Sequence, residues 1–287
     1  MKIFALLLSI VIFAVFTAWA VMQGPETLQL TAVIDEPSPV FLGVIPFLQP
    51  EKLKEQIDPV REYLEKKLER SVVMVTASDY ESLARLLELK KIHIAWFSHA
   101  SFERLGRNAD WEALCRPVQY GSVLYEGQIV VRQDSEFFAV KDLRGRVFAY
   151  VDRYSGSGFF FPNIYMEQQG IRPLEFFSRV EFTQSHRSSI LGLLDGSYDA
   201  AAVFSANLVE GSSEELRVIA RTGPIPNDPV VVRKDLEQGL KGKIASALLN
   251  MHTDNQGAEY LKILTRLRGT EKFVAESEVQ AALLQKK

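Results

Sequence analysis

The sequence predicts an α/β protein of two lobes with a ligand cleft between them. Short β-branched segments alternate with amphipathic helical ones along the body, the pattern of layered α/β folds. Residues 118–132 (VQYGSVLYEGQIVVR) read as extended with no helical period, which suits a connection between two such units. One strand-to-helix junction, near residues 146–167, is made of hydroxyls and glycines. A chain that builds one lobe, leaves for another and returns has two crossover strands, and a cleft between lobes is a natural ligand site. At 287 residues the chain is long enough for this.

The elements follow in order. Lys2 precedes an uncharged apolar run from Ile3 to Met22, and Ala18-Trp19-Ala20 has the small-residue spacing of a signal-cleavage site. Residues 1–22 are therefore expected to be an export signal, with an uncleaved anchor as the alternative. Residues 40–45 form a first strand. Residues 51–70 form a helix with Leu53, Ile57, Val60, Leu64 and Leu68 on one stripe. Pro59 falls inside it and is expected to kink it or mark a restart. A strand at 71–76, a helix at 80–90, a strand at 92–97 and a helix at 98–105 complete the first unit. In the second, strands are expected near 146–151, 179–183 and 199–204, with helices at 158–169 and 187–194. Residues 223–229 (GPIPNDP) are expected to break regular structure. An extended segment at 230–233 and helices at 235–251, 256–267 and 274–285 close the chain.

Composition narrows the function. The net charge is −3, which lacks the basic face that nucleic acid demands. Cys115 is the only cysteine, so no intramolecular disulfide forms, and none lies near the amino end to carry a lipid. No metal-ligand spacing is present.

The junction carries the chemistry. A strand (RVFAYV, 146–151) leads into Ser155, Gly156, Ser157 and Gly158, then a helix with Pro162 tolerated near its start. Glycines let a ligand approach the backbone, and a helix start offers free N–H groups to an anion. An ordinary serine cap explains the same residues equally well. His186 opens another helix, where the dipole disfavours a cation unless an anion is near, and a neutral solvated histidine is the alternative. His99 follows the strand ending at Phe97 and is a reserve candidate; His93 reads as structural. Ser157, His186 and Asp228 are the residue types of a hydrolytic triad, but no nucleophile elbow accompanies them.

Separated segments resemble one family, the periplasmic phosphonate-, phosphite- and phosphate-binding (PhnD-like) components of ABC transporters. They are FLGVI (41–45), SDY (78–80), IHIAWF (92–97), VDRYSGSG (151–158), His186, GSYDA (196–200) and IPNDPVVVRK (225–234). The resemblance implies a type II periplasmic-binding fold, with residues 29–125 plus 229–287 in one lobe and 126–228 in the other. It implies ligand contacts from Tyr80, Phe97, Ser155, Gly156, Ser157, His186 and Asp228. It further implies no cofactor, no metal and no catalysis, a periplasmic location, a monomer, and as partners a small oxyanion and either an importer's permease or a membrane sensor. The chain departs from the family pattern where Phe97 replaces a frequent Tyr, Gly156 a frequent Thr, and Ala206 the carboxylate of aminoalkyl-selective members. These departures favour a smaller ligand. Asp228 fits beside an anion if the ligand keeps a proton to donate to it.

Overall fold

Two sheets organise the chain, and each alternates its side chains between two buried faces. A computed structural model describes residues 38–45, 50–106, 110–205 and 212–285, all within one compact unit, Ser38–Lys287. The expected export segment and Ala206 lie outside the described residues.

The first sheet contains β1 (Val40–Val44), β2 (Val72–Thr76), β3 (Ile94–Trp96), β4 (Trp111–Gln119), β10 (Val230–Arg233) and β11 (Thr270–Val274), in the order β11-β4-β10-β3-β1-β2. β2 and β3 flank β1 in parallel, and β10 enters antiparallel between β3 and β4. The second contains β5 (Leu124–Arg132), β6 (Val147–Tyr150), β7 (Arg179–Phe182), β8 (Ala200–Val203) and β9 (Leu216–Pro226), in the order β7-β6-β8-β5-β9. Here β6 is parallel to β7 and β8, while β5 runs antiparallel to β8 and β9. The chain passes between sheets from Gln119 to Leu124 and back from Pro226 to Val230.

Strand periodicity explains the layers. Val40, Leu42, Val44, Ile94, Trp96, Val230 and Val232 enter one core, while Ala95 and Val231 enter the core on the opposite face. In the second sheet Ile129, Val131, Phe148, Tyr150, Ala200 and Ala202 face one core, and Val130, Ala149, Ala201 and Val203 face the other. Strands buried on both faces need continuous apolar sequence, as these have.

Three expectations need correction. Helix α1 (Pro50–Leu68) runs through Pro59 without a restart. The lost hydrogen bond and ring clash cost about 3 kcal/mol. Burial of Leu53, Ile57, Val60, Leu64 and Leu68 offsets this, at about 1.5–3 kcal/mol each. Regular structure also does not stop at Gly223, because β9 continues through Pro226. β9 is an edge strand bonded only to β5, where a proline's missing N–H costs little. The extended tract at 118–132 runs from one sheet to the other as expected, through the end of β4 and all of β5, with a turn at Tyr120 and Gly121, both of positive φ. β11, within a stretch ending in an expected helix at 274–285, is a strand on β4, and the closing helix starts only at Glu276.

Candidate functional site

Parallel strands place their C-terminal ends on one edge, and the candidate residues follow those ends. Tyr80 follows β2, Phe97 and Ser98 follow β3, and Asp228 precedes β10, whose Val230 pairs with Trp96. From the second sheet, residues 152–158 follow β6 and His186 follows β7. Four helix starts share one local rule, in which a capping side chain stands immediately before the residue presented to the cleft edge. Asp79 caps α2 (Tyr80–Glu88) by accepting from the Ser82 amide at 2.7 Å. Ser98 caps α3 (His99–Leu105) by accepting from Ser101 at 3.0 Å. Ser155 accepts from the Gly158 amide at 3.0 Å and caps a π-turn, Gly156–Phe160, that leads into α4 (Phe161–Gln168). Ser185 caps α5 (His186–Leu194), accepting from Ser188 at 3.0 Å.

The Ser155 hydroxyl thus performs the capping role, and its hydrogen remains to be donated. Ser155 and Ser157 are both buried. Ser157 lies within hydrogen-bonding reach of the Tyr125 phenol on β5. Tyr80 from the other sheet lies within similar reach of Ser98. Burial, reinforced by the Asp228 carboxylate, raises both phenols well above their ordinary range, so each is a neutral donor at pH 7.

Asp228 keeps some solvent access, yet its carboxyl is raised by burial. Its Oδ1 accepts from the His99 amide at 3.0 Å, and Arg268 and Arg116 act on it more weakly. Arg116, 1% exposed, donates to both carboxylate oxygens of Glu276 at 2.8 and 3.2 Å and to the Asn227 carbonyl at 2.6 Å. It also lies 3.3 Å from His99 Nδ1. A guanidinium only donates, so Nδ1 accepts and the His99 proton sits on Nε2. Burial, aided by Arg116, lowers the His99 pKa to about 3.

His186 Nδ1 accepts from the Phe204 amide at 3.3 Å, which leaves Nε2–H as the ring's donor. Burial lowers its pKa to about 4, so at pH 7 it donates without charge, unlike the protonated donor considered from the sequence. Ser157, His186 and Asp228 thus have different partners: Tyr125, the Phe204 amide and the His99 amide. Phe97, 1% exposed, stands behind Tyr80 with ring centroids 6.1 Å apart and packs on Trp111 at 4.8 Å. It supports Tyr80 from the core. His93 is structural, its Nδ1 accepting from the Phe41 amide at 3.0 Å.

Residues 153–154 also clasp the first sheet's helices. Ser98 Oγ donates to the Tyr154 carbonyl at 2.8 Å, Arg104 donates to the Arg153 carbonyl at 2.6 Å, and the Tyr154 hydroxyl donates to Glu81. His99 stacks on Phe161 at 6.0 Å, adding a ring contact between the two halves. Sequence reasoning missed Tyr125 and Ser98; among the described residues no cluster of three metal-ligating side chains forms.

Two α/β halves joined by two crossovers, with Tyr125 against a serine–glycine loop, have the two-lobed architecture of the type II periplasmic-binding class. The chain belongs to the family of phosphonate periplasmic substrate-binding proteins of ABC transporters, which matches residues 42–278. It is 28% identical over 249 residues to the phosphonates-binding periplasmic protein of Escherichia coli, covering 83% of this chain and 72% of that one. It is 26% identical over 195 residues to the phosphate-import protein PhnD of Mycolicibacterium smegmatis, covering 63% of this chain and 60% of that one. The fold matches PhnD1 of Prochlorococcus marinus, solved in complex with methylphosphonate, with a TM-score of 0.72 at 18% identity over 86% of this chain and 96% of that one. A binding component of a phosphonate transporter from Pseudomonas aeruginosa matches with a TM-score of 0.72 at 22% identity, over 84% and 82%. Family membership makes this a periplasmic substrate-binding component, with a small ligand and a membrane permease as partners. Among the described residues no helix is long and apolar enough to cross a membrane.

Proposed function

We propose that the protein captures a small phosphorus oxyanion (phosphate, phosphite or a short alkylphosphonate) and presents it, lobes closed, to an importer's permease. The observation that carries this reading is the loop Ser155–Gly158, where buried hydroxyls and a helix start meet the neutral phenols of Tyr80 and Tyr125. The Nε2–H of His186 is a further donor to the anion. Asp228 accepts a proton that the ligand keeps, which discriminates against a fully ionised ligand. Ligand binding biases an open–closed equilibrium, and no bond is made or broken. The different partners of Ser157, His186 and Asp228 support binding over hydrolysis. The protein acts as a monomer.

A thermal-shift panel tests the reading. Phosphate, phosphite and methylphosphonate, each at about 100 times its dissociation constant, are expected to stabilise the protein by about 2.7 kcal/mol, and sulfate far less. An aminoalkylphosphonate is expected to do no better than methylphosphonate, since Ala206 offers no carboxylate for its ammonium. Equal shifts with every anion, or none with any, would remove the reading.

A further inference from the structure

We propose that Tyr125 and Gly156 form a coupled specificity pair, in which the absent side chain at 156 lets the Tyr125 hydroxyl rest on the anion loop and select oxygen as the fourth substituent on phosphorus. The proposal rests on the reading of the cleft as a phosphorus-oxyanion site. A Cβ placed on Gly156 would stand 3.1 Å from the Tyr125 hydroxyl oxygen, tighter than ordinary contact, and 3.6 Å from Ile225 Cγ2. The backbone does not require glycine there, because Gly156 is absent from the positive-φ glycines. The neighbouring phenol leaves little room for a side chain there. Tyr125 is placed there by β5, where it pairs with Ile225 of β9 close to the first crossover. Ser157 lies within hydrogen-bonding reach of the same hydroxyl.

One hydroxyl therefore meets the loop, and the Asp228 charge acts on it. A protonated oxygen on phosphorus would accept from the Tyr125 hydroxyl and donate to Asp228. A methyl group or a P–H hydrogen can do neither, and would leave the hydroxyl with Ser157 as its partner and no bond to the ligand. The favoured ligand is then singly protonated phosphate.

Calorimetry with inorganic phosphate, phosphite and methylphosphonate on the wild-type protein, Tyr125→Phe, Gly156→Ala and the double variant tests this. Wild-type protein is expected to prefer phosphate at least tenfold. Tyr125→Phe is expected to weaken phosphate at least tenfold and methylphosphonate less than threefold, so that the preference collapses. Gly156→Ala pushes the phenol off the loop and should reproduce that loss, yet cost less than threefold more when added to Tyr125→Phe. Equal losses on all three ligands, or additive losses, would overturn the pairing and leave the functional reading standing. Wild-type protein that binds none of the three removes both. If Gly156→Ala fails to fold, Tyr125→Phe decides alone, since it keeps the ring and removes one oxygen.

Discussion

The two walls of the cleft are built from different chemistry. The wall from the second sheet offers Ser155, Ser157, backbone amides and a histidine held neutral by burial. The wall from the first sheet offers one phenol and then Asp228, backed by Arg116 with Glu276 and by Arg268 stacked 4.6 Å over Trp96. In the proposed site, fixed dipoles hold the ligand's oxygens on one side, and a carboxylate accepts its proton on the other. An acidic protein can therefore bind an anion without a positive field, because the donors are local and already oriented.

The largest effect expected comes from making the neutral wall charged. Ser157→Asp places a carboxylate where the ligand's oxygens belong, and isothermal calorimetry should find no binding. Ser157→Ala removes a single charge-assisted bond of about 1.5–3 kcal/mol, and is expected to weaken binding about 10- to 100-fold. Unchanged affinity in Ser157→Ala would take the loop out of the site.

Acid should then break both walls together. His186 and His99 have native pKa values of about 4 and about 3, below the ordinary 6.5. Between those values and 6.5 the unfolded chain binds more protons, so stability rises with pH and is lost as pH falls through this window. Each histidine accounts for at most about 1.4 kcal/mol per pH unit. The melting temperature should fall from pH 7 to pH 4, and His186→Gln should flatten part of that slope. An unaltered slope in the variant would mean that His186 is charged in the native state.

Asp228 sharpens the contrast through the ligand's own titration. Phosphate-like groups lose their second proton near pH 6, to about one unit. For phosphite and methylphosphonate, which lose their last proton there, affinity should fall as pH rises through that ionisation, by about tenfold per unit above it, and Asp228→Asn should lessen the dependence; phosphate keeps one proton beyond it and should not lose affinity. Calorimetry from pH 5 to 9 that gives flat wild-type affinity for phosphite and methylphosphonate would remove the proton-accepting role.

The smallest effect belongs to the clasp. Tyr154→Phe or Glu81→Gln loses an exposed contact of about 0.2–1 kcal/mol, so affinity should drop no more than about fivefold. Small-angle scattering should show a larger ligand-free radius of gyration in these variants. A larger loss in affinity with an unchanged radius would assign Tyr154 to the ligand instead.

Much of this was legible along the chain. The αβ alternation came through because buried strands and amphipathic helices carry local periods. Ser155 to Gly158 stood out because hydroxyls and glycines at a strand-to-helix junction are a compact local pattern. Pro59 and the prolines of β9 misled because their cost depends on tertiary context, namely an apolar stripe in one case and an edge position in the other. Tyr125 was invisible, since a tyrosine in an extended tract has no signature until its strand is paired and the loop lies beneath it.

The sequence alone determined the layered α/β class and the serine-capped loop at 155–158, because each arises from interactions between near neighbours. Tertiary structure alone decided that His186 is neutral, that Phe97 supports Tyr80 from behind, and that Tyr125 meets the loop while the Asp228 charge acts on both phenols. Burial and charge proximity depend on residues from different elements, from 17 positions apart for Tyr80 and Phe97 to 129 for His99 and Asp228, and only the folded chain brings them together.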